Sequence, residues 1–98
     1  MMYHKVVPIL DTDASKVIKV QEITCTEHQI QVSTLIVTGT ISIQGKSVMA
    51  ADYGEIDSID LEDQPPVIKQ FSGVYESIKI VPSTGMAMTV VLTSWSWF

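Results

Sequence analysis

The chain has 98 residues, of which 46% are apolar and only 17% are charged. Eleven carboxylates against six lysines, with no arginine, give a net charge of −5. This balance argues against nucleic acid as a ligand, because phosphate binding requires a basic face with forked arginine donors. The length predicts one domain, residues 1–98.

Cellular location can be narrowed from the thiol count and the apolar runs. Cys25 is the only cysteine, which excludes an internal disulfide and favours a reducing compartment. The longest apolar runs are a few residues, so we expect neither a signal peptide nor a membrane span. The shortage of charge predicts that part of the surface is covered by a partner or by further copies of the chain. We expect a homo-oligomer.

Side-chain type indicates the fold class. Valine (12), isoleucine (12) and threonine (9) make up a third of the chain, whereas leucine and alanine contribute four each. Branching at Cβ suits a pleated sheet better than a helix. We therefore predict an all-β fold, a small antiparallel β-sandwich of the jelly-roll or Ig-like kind with seven or eight short strands, and a barrel as second choice.

In chain order, the first candidate strands cover residues 3–10, 16–23, 29–34 and 35–45. Pro8 has no backbone N–H to donate to a neighbouring strand, so we expect the first of these strands at a sheet edge. In the fourth, alternation predicts Leu35, Val37, Ile41 and Ile43 on one face, and Gly39 interrupts that row as a bulge or a close backbone approach.

The middle of the chain is acidic. Candidate strands at 47–51, 55–61 and 67–71 surround segment 52–63, which carries six carboxylates and precedes Pro65 and Pro66. One interpretation of these carboxylates is a Ca²⁺ site, but their spacing does not match the EF-hand loop and lacks its turn glycine. The other interpretation is a solvated acidic edge strand that opposes aggregation. We favour the second and expect no bound metal.

The last third predicts a hairpin over residues 74–97, with a turn at residues 82–85. Its first strand places Ile78 and Ile80 on one face, and its second strand places Val90 and Leu92 on one face. These four side chains are the predicted core.

The templates of catalysis are missing. His4 and His28 are expected at an exposed terminus and an exposed turn, and Cys25 between two threonines is expected to be a buried apolar residue. No nucleophile elbow, P-loop or dinucleotide motif is present. We therefore predict no enzyme activity, no catalytic residue and no cofactor.

A candidate contact site lies at the C-terminus. Trp95 and Trp97 share a face with Val91, opposite the predicted core face, and Phe98 follows. Large exposed aromatic side chains are typical of interfaces, so we predict contact residues at Val91, Trp95, Trp97 and Phe98. The alternative is a bulge that rotates the tail inward, where the indoles close the core.

Two segments carry a family resemblance. Residues 36–47, IVTGTISIQGKS, and residues 71–82, FSGVYESIKIVP, resemble consecutive strands of small β-sandwich virion proteins of tailed bacteriophages. Two details depart from the family pattern, namely Lys79 in place of arginine and Gly45-Lys46-Ser47 in place of a Ser-x-Asp-Gly turn. The resemblance covers roughly residues 30–93.

The resemblance implies a capsid decoration or cement protein, or another head or tail accessory protein, in the virion. Its partners would be itself or a larger assembly such as a major capsid protein, with no nucleic acid and no membrane, and it would assemble in the host cytoplasm. The competing interpretation is a carbohydrate-binding module, in which Tyr75 joins the C-terminal aromatic residues as a stacking platform. A module that binds a host enzyme is a third.

Overall fold

The computed structural model describes residues 2–20, 25–35, 38–63 and 65–96. This part of the chain forms strands and one turn of 3₁₀ helix at Leu61–Asp63, as the all-β prediction requires. The strands, in chain order, are β1 (Met2–Ile9), β2 (Lys16–Lys19), β3 (Glu27–Ser33), β4 (Thr40–Lys46), β5 (Gly54–Asp60), β6 (Val67–Ser72), β7 (Ser77–Pro82) and β8 (Met88–Trp95).

The strands form two antiparallel sheets of four, which confirms the predicted sandwich. Sheet A has the order β1-β8-β3-β6 and sheet B the order β2-β7-β4-β5. The pairs are nested, since β1 pairs with β8, β2 with β7, β3 with β6 and β4 with β5. The chain is thus one long hairpin rolled into two sheets, which is the jelly-roll arrangement and not the Ig-like one.

The core lies between the sheets and is built from alternate residues of each strand. Twelve of the sixteen described side chains in the core cluster are valine or isoleucine, whose β-branching fits the pleated surface that they cover. The four predicted core residues Ile78, Ile80, Val90 and Leu92 are buried, as expected. The other large buried side chains include Ile9, Ile18, Ile30, Val32, Ile41, Ile43, Ile59, Leu61 and Met86.

The sheet edges agree with the sequence. β1, which contains Pro8, is an edge strand of sheet A, and the acidic strand β5 is an edge strand of sheet B. The second edge of sheet A is β6 and that of sheet B is the four-residue strand β2. Proline, charge and short length are common devices that protect sheet edges from pairing with other chains.

The predicted hairpin over residues 74–97 is wrong. β7 lies in sheet B and β8 in sheet A, so residues 83–87 cross from one sheet to the other. Gly85 makes this crossing possible, because a Cβ there would collide with the backbone oxygen of Asp11. The alternation of apolar residues identified the inward face of each strand, but it carried no information about which strands are hydrogen-bonded neighbours.

Two further strand predictions need correction. β4 begins at Thr40, after Gly39 with φ of 98°, and Leu35 upstream is 99% exposed and outside the core. Val37 lies outside the described residues. Residues 47–51 form the turn between β4 and β5, where Met49 has φ of 67°. Apolar residues in both segments suggested strands, but Leu35, Val48 and Met49 are exposed and do not contribute to the core.

Candidate contact surface

The outward side of sheet A forms one continuous surface, which we call the outer A face. Alternation along the four strands defines it, since the residues between its members point into the core. The face comprises Met2, His4, Val6, Pro8, Glu27, Gln29, Gln31, Ser33, Ile68, Gln70, Ser72, Thr89, Val91, Thr93 and Trp95.

This surface is almost free of charge. Glu27 is its only carboxylate, and no lysine lies on it. Several of its polar groups bond to one another across neighbouring strands. The Ser72 hydroxyl donates to Glu27 over 2.7 Å, and the Gln70 amide donates to Gln29 over 3.0 Å. A polar group that already has a hydrogen-bond partner loses less free energy when water is removed from it, so the outer A face has a low desolvation cost.

Apolar side chains concentrate on the β1 and β8 side of the outer A face. Val6 is 65% exposed and lies directly opposite Val91, and Met2 is 59% exposed and lies opposite Trp95. Ile68 continues the Val6–Val91 row on the far edge of the sheet and is also exposed. Exposed apolar groups collected on one face are typical of a contact surface.

The structure brings two of the four predicted contact residues onto this face. Val91 and Trp95 are both half-buried there, and Trp97 and Phe98 lie outside the described residues. β8 pairs with β1 and β3 in unbroken register from Met88 to Trp95, so no bulge rotates Trp95 into the core. Sequence reasoning missed Met2 and Val6, although alternation around the buried Val7 and Ile9 would have pointed to them.

The outward side of sheet B, the outer B face, has the opposite character. It carries Lys19, Lys46 and Lys79 together with carboxylates of β5. Tyr53 packs under two of the lysines, with ammonium to ring-centroid distances of 5.8 Å for Lys46 and 5.1 Å for Lys79. Such a charged face is well solvated. Covering the outer B face would therefore cost more desolvation free energy than covering the outer A face.

His28 is not an exposed turn residue, and that prediction is wrong. It lies on the inward side of β3 and is fully buried. Its Nε2 donates to the Gly73 carbonyl over 2.9 Å, and its Nδ1 lies 2.8 Å from the Ser94 hydroxyl. The ring stacks on Phe71 with a centroid distance of 5.2 Å, and Tyr75 packs at 5.5 Å.

The protonation state of His28 follows from these contacts. Burial lowers the pKa of the imidazole, and this outweighs the hydrogen bond to Gly73 and the charge of Glu27, which raise it. The neutral ring has one N–H, which Nε2 must carry because the Gly73 carbonyl can only accept. Nδ1 therefore accepts a hydrogen bond from the Ser94 hydroxyl.

A serine bonded to a neutral histidine is the first requirement for nucleophilic catalysis. Ser94 is only 4% exposed, however, and His28 is completely enclosed. A substrate carbonyl cannot approach the hydroxyl in this arrangement, and the third group is a backbone carbonyl where a triad has a carboxylate. We interpret the His28–Ser94 pair as a polar clamp that joins β3 to β8 and to the segment around Gly73.

The remaining candidate ligands are dispersed or engaged locally. Asp57 accepts from the amide of Ser58, Asp60 from the amide of Glu62, and Glu55 accepts from the Ser42 hydroxyl. Among the described residues, no three His, Cys, Asp or Glu side chains are placed to hold a metal ion together. Cys25 is buried and His4 is exposed, as predicted.

The described part of the chain contains no helix of the length and apolarity that crossing a membrane requires.

Comparison with known proteins defines the fold and not a family. The SPBc2 prophage-derived protein YomS superposes with a TM-score of 0.61 at 12% identity, covering 98% of this chain and 96% of its own. The Yersinia pseudotuberculosis-derived mitogen superposes with a TM-score of 0.55 at 13% identity, covering 97% and 85%. No protein-family model and no curated protein matches the sequence.

Proposed function

We propose that the chain is a non-enzymatic structural protein that acts by protein–protein contact through its outer A face. One observation carries the proposal. In a chain of net charge −5, the strand residues that form this face include a single carboxylate and exposed apolar side chains, and Gln29 bonds to Gln70 and Glu27 to Ser72 within it. Such a face is suited to burial against protein, because covering it leaves few charges or hydrogen-bonding groups unsatisfied.

We further propose that the assembly is the virion of a tailed bacteriophage, with the chain as a decoration, cement or other accessory protein of head or tail. The resemblance of residues 36–47 and 71–82 to such proteins supports this. The prophage-derived YomS also has the same fold over almost the whole of both chains. Low charge and a shared fold are both consistent with a virion component.

The virion proposal can be tested on purified particles. Particles from cells that encode the chain would be banded on a density gradient and analysed by mass spectrometry, with the wild-type protein compared with Val6→Lys. Val17→Lys is a matched control, because Val17 is also an exposed valine on an edge strand but lies on the outer B face. We expect wild type and Val17→Lys in the particle band and depletion of Val6→Lys. Wild-type chain found only outside the particles would contradict the proposal.

The carbohydrate-binding alternative has less support. Its stacking platform would combine Tyr75 with the C-terminal aromatic residues, but Tyr75 packs against His28 and Phe71 on the inward side of sheet A. Trp95 lies on the outward side. These two rings therefore belong to different surfaces, and the chain has neither asparagine nor arginine to fix sugar hydroxyls.

A further inference from the structure

We infer that the outer A face is covered by a second copy of this chain, packed face to face about a twofold axis. This inference rests on the proposed function for its starting point, that the outer A face is a contact surface. It adds the identity of the occupant, for which the size, charge and hydrogen-bonding character of the face provide separate arguments.

The outer A face is large enough to be considered as a dimer interface. Four strands spaced by about 4.8 Å, with six to eight residues rising about 3.3 Å each, cover roughly 450 Å² in projection. The relief of the side chains adds to this area, so two copies bury on the order of 1,000 Å² or more, which is about the minimum area of a biological interface. The face is therefore large enough for a reversible dimer.

The distribution of carboxylates also suits a face-to-face pair. Two copies of a chain with net charge −5 repel each other unless their carboxylates stay apart. Glu55 and Asp60 lie on the outer B face, and packed sheets are about 10 Å apart. In a face-to-face pair these groups are separated by more than twice that distance, beyond the Debye length of about 8 Å at physiological salt. Among the strand residues of sheet A, Glu27 is the one carboxylate that a face-to-face partner would approach, and it accepts from Ser72.

The outer A face is chemically suited to pack against an identical face. A strongly basic partner would select an acidic surface and an acidic partner a basic one, and the outer A face is neither. Its remaining polar groups are amides, hydroxyls and the His4 imidazole, which can both donate and accept hydrogen bonds. A surface of that kind, beside a strip of valine, methionine and tryptophan, can satisfy an identical surface across a twofold axis.

Pairing through sheet edges is the competing route to a homo-oligomer, and the strands oppose it. The edge strand β1 has Pro8, which cannot donate, and Lys5 at an inward-pointing position. The other edge strand of sheet A, β6, carries Lys69 at an inward-pointing position. Inward-pointing lysines and proline on edge strands are devices that block strand addition, so association is directed to the face.

The test is sedimentation equilibrium of the purified full chain over a wide concentration range. We expect wild type and Val17→Lys to form a dimer and Val6→Lys to weaken it at least 30-fold, since a lysine on each copy would be buried without a counter-ion. Val91→Lys, in the same row as Val6, provides a second variant. Circular dichroism and thermal melting establish that each variant remains folded.

A wild-type chain that stays monomeric at millimolar concentration would overturn the inference, as would a dimer that Val6→Lys and Val91→Lys leave intact. Its failure can be separated from failure of the proposed function. A monomer in solution that remains in the particle band, and leaves it on Val6→Lys, contradicts the second copy and supports a different protein as occupant. A dimer that Val6→Lys dissociates supports the inference, even where particles lack the chain.

Discussion

At the scale of single residues, His28 is the group whose role depends most on its surroundings. It fills a space between Phe71, Tyr75 and Ser94, and it satisfies the Gly73 carbonyl. Protonation would place a charge in this buried site and would remove the acceptor that the Ser94 hydroxyl uses. The fold therefore requires the neutral ring.

This requirement predicts a specific pH dependence of stability. The pKa of His28 is lowered by folding, so the unfolded chain binds the extra proton more readily than the folded chain. The free energy of unfolding is then unaffected by His28 above its usual pKa of 6.5 and falls as the pH drops below 6.5 toward the folded pKa. Urea melts of wild type between pH 8 and pH 5 should show this loss.

His28→Gln provides the control, because glutamine does not titrate and the exposed His4 remains in both proteins. The variant will be less stable at every pH, but its stability should decline less between pH 6.5 and pH 5 than that of the wild type. Parallel declines in the two proteins would contradict the assignment of a neutral, clamped His28.

The sequence contained the signal that His28 is buried. His28, Ile30 and Val32 alternate along β3 and all three point into the core. The predicted strand began at residue 29, one residue after the histidine, and so it left His28 out of the inward row. Strand boundaries are the weakest part of such predictions, because propensity changes gradually across them while burial changes abruptly.

At the scale of elements, the faces of the strands were predictable and their partners were not. Alternation placed Ile78 with Ile80 and Val90 with Leu92 on inward faces, which is correct. The same pattern suggested that the two strands pair with each other, which is wrong, because each lines the core from a different sheet. A period of two identifies a face, whereas the choice of neighbour depends on long-range packing.

The core prediction can be tested by truncation. Ile80→Ala and Leu92→Ala should each lower the free energy of unfolding by about 2–5 kcal/mol, because both side chains are enclosed and leave cavities. Leu35→Ala is the control, since Leu35 is 99% exposed and its truncation removes no packing. Denaturant melts measure all three. A neutral Ile80→Ala or Leu92→Ala would show that the strand faces are misassigned.

At the scale of the whole molecule, the sandwich has two outer faces of different chemistry. The outer B face holds three of the six lysines and carboxylates of β5, while the outer A face holds only Glu27. Composition predicted a covered surface from the low charge of 17% but could not locate it. The pairing of β1 with β8 places Met2 and Val6 beside Trp95 and Val91, on the face for which we propose contact.

The most direct test of the outer A face as the contact surface is the labelling rate of a single introduced thiol. Val6→Cys on the outer A face and Val17→Cys on the outer B face would be reacted with a maleimide over a range of protein concentrations. The buried Cys25 in wild type gives the background rate. We predict that labelling of Val6→Cys slows as concentration rises and copies associate, while Val17→Cys keeps a constant rate. Protection of Val17→Cys in place of Val6→Cys would contradict the account.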